Sequence, residues 1–262
     1  MARHGSTKQK QYLYAIITPA SNGWDFGAIG LDGGAVSSIT NGGVSAVVSG
    51  VPEKIRPERR QLAAHQEVLK HLMAETNAIL PVAFGVVADG PEAIRRILSR
   101  NQKPILEQLR RVAGRMEMGL RVSWDVPNIF EYFVHTHPEL RVARDHFFGG
   151  HREPTQEDKI EIGRLFDRLL EEDREAHTER VVEILTPSCV EITRLKLRTE
   201  REAVNLACLV GRDGQERFEA AVFEAAKLFD DSYAFDYNGP WAPHNFVDVK
   251  LDVLTESGNR GD

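Results

Sequence analysis

The stretch MEMGLRVSW, residues 116–124, alternates without a break. Met116, Met118, Leu120, Val122 and Trp124 fall on one side of an extended chain, and Glu117, Gly119, Arg121 and Ser123 on the other. Successive side chains of a strand point to opposite faces, so this spacing predicts a strand with one apolar and one polar face. The chain changes character just after it, near residue 125.

Upstream the pattern is β-rich and then helical. YLYAII (12–17) and GVSAVVSGV (43–51) are β-prone runs, and the glycine-rich stretch between them reads as hairpin turns. From Glu58 to Glu75, Leu62, His65, Leu69, Leu72 and Met73 recur at three- and four-residue spacing, the mark of one buried helical face. AILPVAFGVV (78–87) reads as a buried strand with Leu80 and Phe84 in the core. Asp89 before Pro91 signals a helix start, and Pro104 can open a further helical segment, giving two helices or one kinked helix.

Downstream, Asp125 and Pro127 open a helical region through IFEYFVHTHPELRVARDHFF, interrupted at Pro138, and GGHREPT (149–155) reads as a loop. A helix follows between Thr155 and Thr186, with Ile162, Leu165, Phe166 and Leu169 as its apolar stripe and EEDREAHTER as a solvated face. CVEITRLKLR and EAVNLACLV read as an antiparallel pair, GRDG as a turn, and 215–230 as a helix using Phe218, Val222 and Leu228. SYAFDY (232–237) reads as the last strand. The order helix, strand, strand, helix, strand suits a ferredoxin-like layer, with helices on one face of an antiparallel sheet. The expected class is therefore α+β in two domains: an N-terminal α+β domain over 1–125, and a ferredoxin-like domain with a C-terminal tail over 126–262.

Composition narrows the functions. At 262 residues one large or two ordinary domains are expected. A formal charge of −6 argues against sequence-independent nucleic-acid binding, and the short basic run EKIRPERR (53–60) does not overturn that. Cys189 and Cys208 are too few for a disulfide scaffold and lie in apolar runs that read as buried strand, which fits a reducing cytoplasm. MARHGSTKQKQ has no apolar signal core, and no run is long enough to span a bilayer, so a soluble protein is expected.

No catalytic constellation stands out. Gly27, Gly30, Gly33 and Gly34 match neither phosphate-loop pattern and read as turn glycines. His135, His137, His146 and His151 crowd one region, but the inner pair, two residues apart on a helix, would point to different faces. His65 lies on an apolar helical face with no nucleophile motif nearby, so it reads as a satisfied, partly buried histidine. Neither cysteine has the cationic neighbour or helix start that activates a thiol. No metal, no cofactor and no enzymatic activity are expected.

DYNGPWAPHNFV (236–247) places Trp241 among strand breakers. Gly239, Pro240 and Pro243 cannot lie inside a central strand, so the chain is expected to leave the ladder at Gly239–Pro240 and fold back. Trp241 then plugs an apolar pocket that locks the second domain. Alternatively, Trp241 and Phe246 stay exposed as anchors for a partner.

Taken in order, YLYAII, LAAHQEVLKHLMAE, ILPVAFGVV, MEMGLRVSW and YNGPWAPHNFV resemble gas vesicle proteins of the F/L type over roughly residues 11–250. The series carrying the resemblance is His65, Leu80–Pro81, Phe84–Gly85, Gly239–Pro240–Trp241, Pro243 and Phe246. The family often has a basic residue and a threonine around PVAFGV, where this chain has Ala83 and Val86, and an aromatic at His244; F-like and L-like paralogues both remain open. The resemblance implies a modified ferredoxin-like second domain and a non-enzymatic accessory protein of gas vesicle formation, located at the gas vesicle or in the cytoplasm. Its implied partners are the small hydrophobic shell protein and other gas vesicle accessory proteins, with no nucleic acid and no membrane. The residue series is then a set of candidate structural or interaction positions. Two other classes remain beside it, a tandem ferredoxin-like haem enzyme resembling chlorite dismutase and a generic regulatory scaffold.

Overall fold

The computed structural model describes residues 9–20, 25–51, 55–149 and 153–248. Contacts divide the chain into two compact units, Met1–Glu117 with Pro240–Asp262, and Met118–Gly239.

The first unit is built on β1 (Lys10–Ile17), flanked by β4 (Val44–Val51) and β5 (Ile79–Pro81). The sheet continues through β3 (Val36–Asn41) to β2 (Asp25–Gly27), and β6 (Val87–Ala88) also pairs with β1. β1 and β4 run antiparallel with Tyr12 opposite Ser49, and a register shift between Leu13 and Ala15 changes which side chains share a face. Tyr12, Tyr14, Ala15 and Ile17 join one core, while Leu13 and Ile16 join another. The helix α1 (Arg59–Glu75) supplies Val68, Leu69 and Leu72 to the first core. The helices α2 (Pro91–Arg100) and α3 (Gln102–Val112) supply Ile94, Ile97, Leu98, Ile105, Leu109 and Val112 to the second.

Three expectations change here. The glycine-rich stretch contains β3 as well as turns. The buried face of α1 is Gln61, His65, Val68, Leu69 and Leu72, and Leu62 is exposed. AILPVAFGVV is not one strand: β5 ends at Pro81, the chain turns at Phe84–Gly85, and β6 follows. Gly85 has φ of 95°, a left-handed conformation that breaks an extended run and favours glycine. Leu80 is fully buried, whereas Phe84 on the turn is half-buried against the first core. The region 91–112 forms two helices meeting at Asn101.

The second unit takes its first strand from β7 (Arg115–Trp124), followed by α4 (Ile129–Thr136), α5 (Pro138–Phe148) and α6 (Gln156–Leu185). Then come β8 (Glu191–Arg194), β9 (Glu202–Gly211), α7 (Gln215–Ala226) and β10 (Tyr233–Trp241). The sheet order β10-β7-β9-β8 is that of a split βαβ unit, the ferredoxin-like arrangement. That order needs β7. The expected boundary after residue 125 therefore moves upstream to between Glu117 and Met118, and residues from Pro240 return to the first unit. Asn128 caps α4 by accepting from Glu131 N–H, and Thr155 with Asp158 forms a reciprocal capping box that starts α6.

In α7 the third buried position is Ala225 rather than Leu228, which lies beyond the helix and is exposed. The chain does not leave the ladder at Gly239: β10 runs on through Pro240 to Trp241. Proline within a sheet is confined to edge strands and irregular positions, and Pro240 lies near the end of an edge strand, directly after Gly239 at φ 128°. Cys208 is buried in β9, whereas Cys189 precedes β8 and is only half-buried. Residues 150–152 of the expected loop, including His151, lie outside the described residues. Among the described residues, no helix is long and apolar enough to cross a membrane.

Candidate functional site

The sequence-selected residues of the first unit gather around one buried polar pair. Tyr12 sits on the central strand β1, and its Oη lies 2.8 Å from Nδ1 of His65, which projects from the buried face of α1. Gly85 N–H donates to the same oxygen at 3.2 Å. His65 donates its other ring N–H to the Val82 backbone carbonyl, so in the neutral imidazole Nδ1 accepts a hydrogen bond from the Tyr12 hydroxyl. Tyr14 stacks on His65 with centroids 5.6 Å apart, and Phe84 meets it edge-on at 5.8 Å. Pro81, opposite Ala15 at the end of β5, is buried just before the turn. His65, Pro81, Phe84 and Gly85 are thus brought together by β1.

Burial holds both partners in their neutral forms. Desolvation, with the Gly85 bond opposing it, pushes the Tyr12 phenol up to about 12. Desolvation, aided by neighbouring His244 and opposed by the Val82 bond, pushes His65 down to about 4. The pair carries no charge near neutral pH, and its geometry fastens strand, helix and turn together.

The tail residues divide. Ala242 joins the core that holds Tyr12 and Tyr14, and Pro243 and Phe246 are buried. Glu117, on the face of MEMGLRVSW read as polar, is buried instead. Its carboxylate accepts from Asn245 N at 2.9 Å and Asn245 Nδ2 at 2.6 Å. Burial raises the Glu117 carboxyl, while the two Asn245 bonds pull it back. Trp241 is 45% exposed, so it does not plug an apolar pocket, and the tail anchors in the first unit rather than locking the second. Gly239 and Pro240 lie on the exposed edge strand. Phe246→Ala is expected to cost about 3–5 kcal/mol and Trp241→Ala under about 1 kcal/mol, read as melting temperatures. Equal losses would contradict this division.

Tyr12, Tyr14, Glu117 and Asn245 were missed as members of the site. Tyr12 and Tyr14 carried a signal, two tyrosine hydroxyls in a run otherwise wholly apolar. Glu117 and Asn245 carried none, standing 128 positions apart. The histidines near residue 140 do not converge: His137 stacks on Phe133 at 4.8 Å beside Asp173, while His135 and His146 are exposed. Among the described residues, no group of three or more His, Cys, Asp or Glu is placed to hold a metal ion. Cys189 lies beside Cys208, and their hydrogen bond lowers the Cys189 thiol below its usual range.

The model of the family described as "Gas vesicle synthesis protein GvpL/GvpF" matches residues 10–248, through both units and the tail. The chain belongs to this family. It is 29% identical to gas vesicle protein F of Streptomyces sp. (strain CB03234) over 244 residues, covering 90% of this chain and 99% of that one. It is 25% identical to gas vesicle protein L of the same strain, covering 98% and 99%. The crystal structure of the gas vesicle protein GvpF from Anabaena sp. PCC7120 superposes with a TM-score of 0.81 at 26% identity, covering 92% of this chain and 99% of that chain. As a member of the GvpL/GvpF family, the protein takes part in gas vesicle assembly.

Proposed function

We propose that this protein is a non-enzymatic accessory factor that binds the small hydrophobic shell protein and helps it assemble, acting with other gas vesicle accessory proteins at the growing vesicle. The observation that carries the reading is the uninterrupted family match across both units and the tail. The physical need is plain: apolar shell subunits expose surfaces and strand edges that self-associate before they are placed. A protein with a net charge of −6 and two compact units offers a soluble surface on which to hold them. In the same reading, His65, Pro81, Phe84 and Gly85 shape the first unit. Gly239 and Pro240 form its link to the second, Pro243 and Phe246 fix the tail, and exposed Trp241 is left as a contact residue.

Affinity-tagged protein expressed in a vesicle-forming cell is expected to co-purify the shell protein. Deletion of its gene is expected to abolish vesicles, with recovery on re-expression. Vesicles forming normally in the deletion strain would refute the assembly role.

A further inference from the structure

The second unit ends in a sheet edge. β10 is the terminal strand of the order β10-β7-β9-β8. Arg121 reaches Asp236 at 3.7 Å, a side chain on Gly119 would meet Asn238, and Asp125 N–H bonds the Ser232 carbonyl at 2.7 Å. These three pairs share one antiparallel register, in which Ser232, Ala234, Asp236 and Asn238 turn their backbone groups toward β7. Alternation then points the N–H and C=O groups of Phe235 and Tyr237 and the C=O of Tyr233 away from the sheet, while the Tyr233 N–H is taken by the Asp230 carbonyl at 3.2 Å. The same residues put their rings on the helix-covered side: Tyr233 beside Trp124 at 6.1 Å, Phe235 beside Phe229 at 5.1 Å, and Tyr237 beside Phe223 of α7 at 6.5 Å.

Phe223 is 61% exposed, and Leu228 and Tyr237 are exposed too, so an apolar shelf lies directly beside the open edge. The opposite side of β10 is polar, with Asp236 and Asn238. The strand lacks the lysines that commonly protect such edges, and only Gly239, with φ of 128°, and Pro240 interrupt it at its far end.

We propose that Tyr233–Asn238 is a docking edge for an extended segment of a hydrophobic partner, which adds a strand beside β10. Apolar side chains of that segment rest on Phe223 and Tyr237, and uncharged polar or basic ones alternate with them above Asp236. The proposal rests on the assembly role for the identity of that partner, the shell protein, and on the edge geometry for its position. Charge decides against a second copy of this chain. Two such edges paired about a twofold axis would set Asp236 near its own counterpart, with Asp230 and Asp231 adding further negative charge, and like charges across a strand pair are destabilising.

The probe is an end-capped, fluorescent decapeptide of alternating valine and lysine, with a version carrying proline at its centre as control. Binding to the full chain is expected for the alternating peptide only. Phe223→Lys, which removes the shelf, and Tyr237→Pro, which removes an outward N–H, are each expected to weaken it about tenfold or more. Val142→Lys, at an exposed position on α5, is expected to leave it unchanged. Phe223→Lys lies on a helix surface, so retention of the wild-type melting temperature separates lost docking from lost folding. Equal binding of the two peptides, unchanged binding by both edge variants, or a wild-type dimer that Tyr237→Pro converts to monomer would each overturn the proposal. Capture of shell protein that survives both edge changes would also overturn it, while leaving the assembly role standing.

Discussion

Trp124→Ala is expected to lower stability by about 3–5 kcal/mol, which in a chain of this size is a fall of roughly 10 °C in melting temperature. Trp124 is among the largest side chains that are fully buried, at the end of β7. Its ring meets Phe133 of α4 edge-on at 5.5 Å and lies 6.4 Å from His177 of α6 and 6.1 Å from Tyr233 of β10. The Arg174 guanidinium sits 5.9 Å from the ring centroid. One side chain therefore joins two helices and two strands, and no neighbour can collapse into its volume without leaving another contact. Phe133 extends the cluster to Phe166 at 5.4 Å, so Trp124→Phe, which keeps part of the volume, is expected to lose less than the alanine variant. A melting temperature within 2 °C or so of wild type for Trp124→Ala would remove this residue from the core of the second unit.

The second large effect is a loss of stability in acid that runs through His65. Its pKa is about 4 in the folded protein against 6.5 for the free side chain. The unfolded chain therefore binds more protons than the folded one between those values, and stability falls as pH drops from about 6.5 to about 4. Below that window both states are protonated and the loss is complete. The difference corresponds to on the order of 3 kcal/mol. His244 and His177 are also lowered by burial and act in the same direction. Denaturant titrations of wild type and His65→Gln across this window isolate the effect. The variant is less stable at neutral pH but is expected to show a shallower decline. Parallel curves would mean that His65 does not titrate on unfolding.

What could be read beforehand follows from the range of the interactions involved. The strand 116–124 and the helices after Pro91, Pro138 and Thr155 were legible because periodicity and capping are written within a few neighbouring residues. The ferredoxin-like order was legible from the sequence of elements, yet β7 was assigned to the wrong half. Nothing local tells a strand which neighbour it will pair with. Glu117 was placed on the polar face because its partner Asn245 lies far along the chain. Trp241 was misjudged for a related reason: size and apolarity favour burial of both Trp241 and Phe246, but their positions in the edge strand and the turn after it bury only the second. Leu62 and Gln61 exchanged roles by a single step around α1, a shift of about 100° that a short stripe does not fix. His65, Pro81, Phe84 and Gly85 were found as a series of residues. That they close around Tyr12 became visible only in three dimensions.

The return of the tail to the first unit also sets a timetable for synthesis. Residues 1–117 leave the ribosome before Ala242 and Asn245, which join their core and satisfy Glu117 and are made only after the whole second unit has been translated. At the usual elongation rates of roughly 5–20 residues per second, the nascent first unit waits on the order of ten seconds with that surface open. The second unit, continuous in sequence, is free to fold during the wait. The second unit is thereby complete in sequence before the first, and a translation product interrupted between them lacks the residues that complete the first unit.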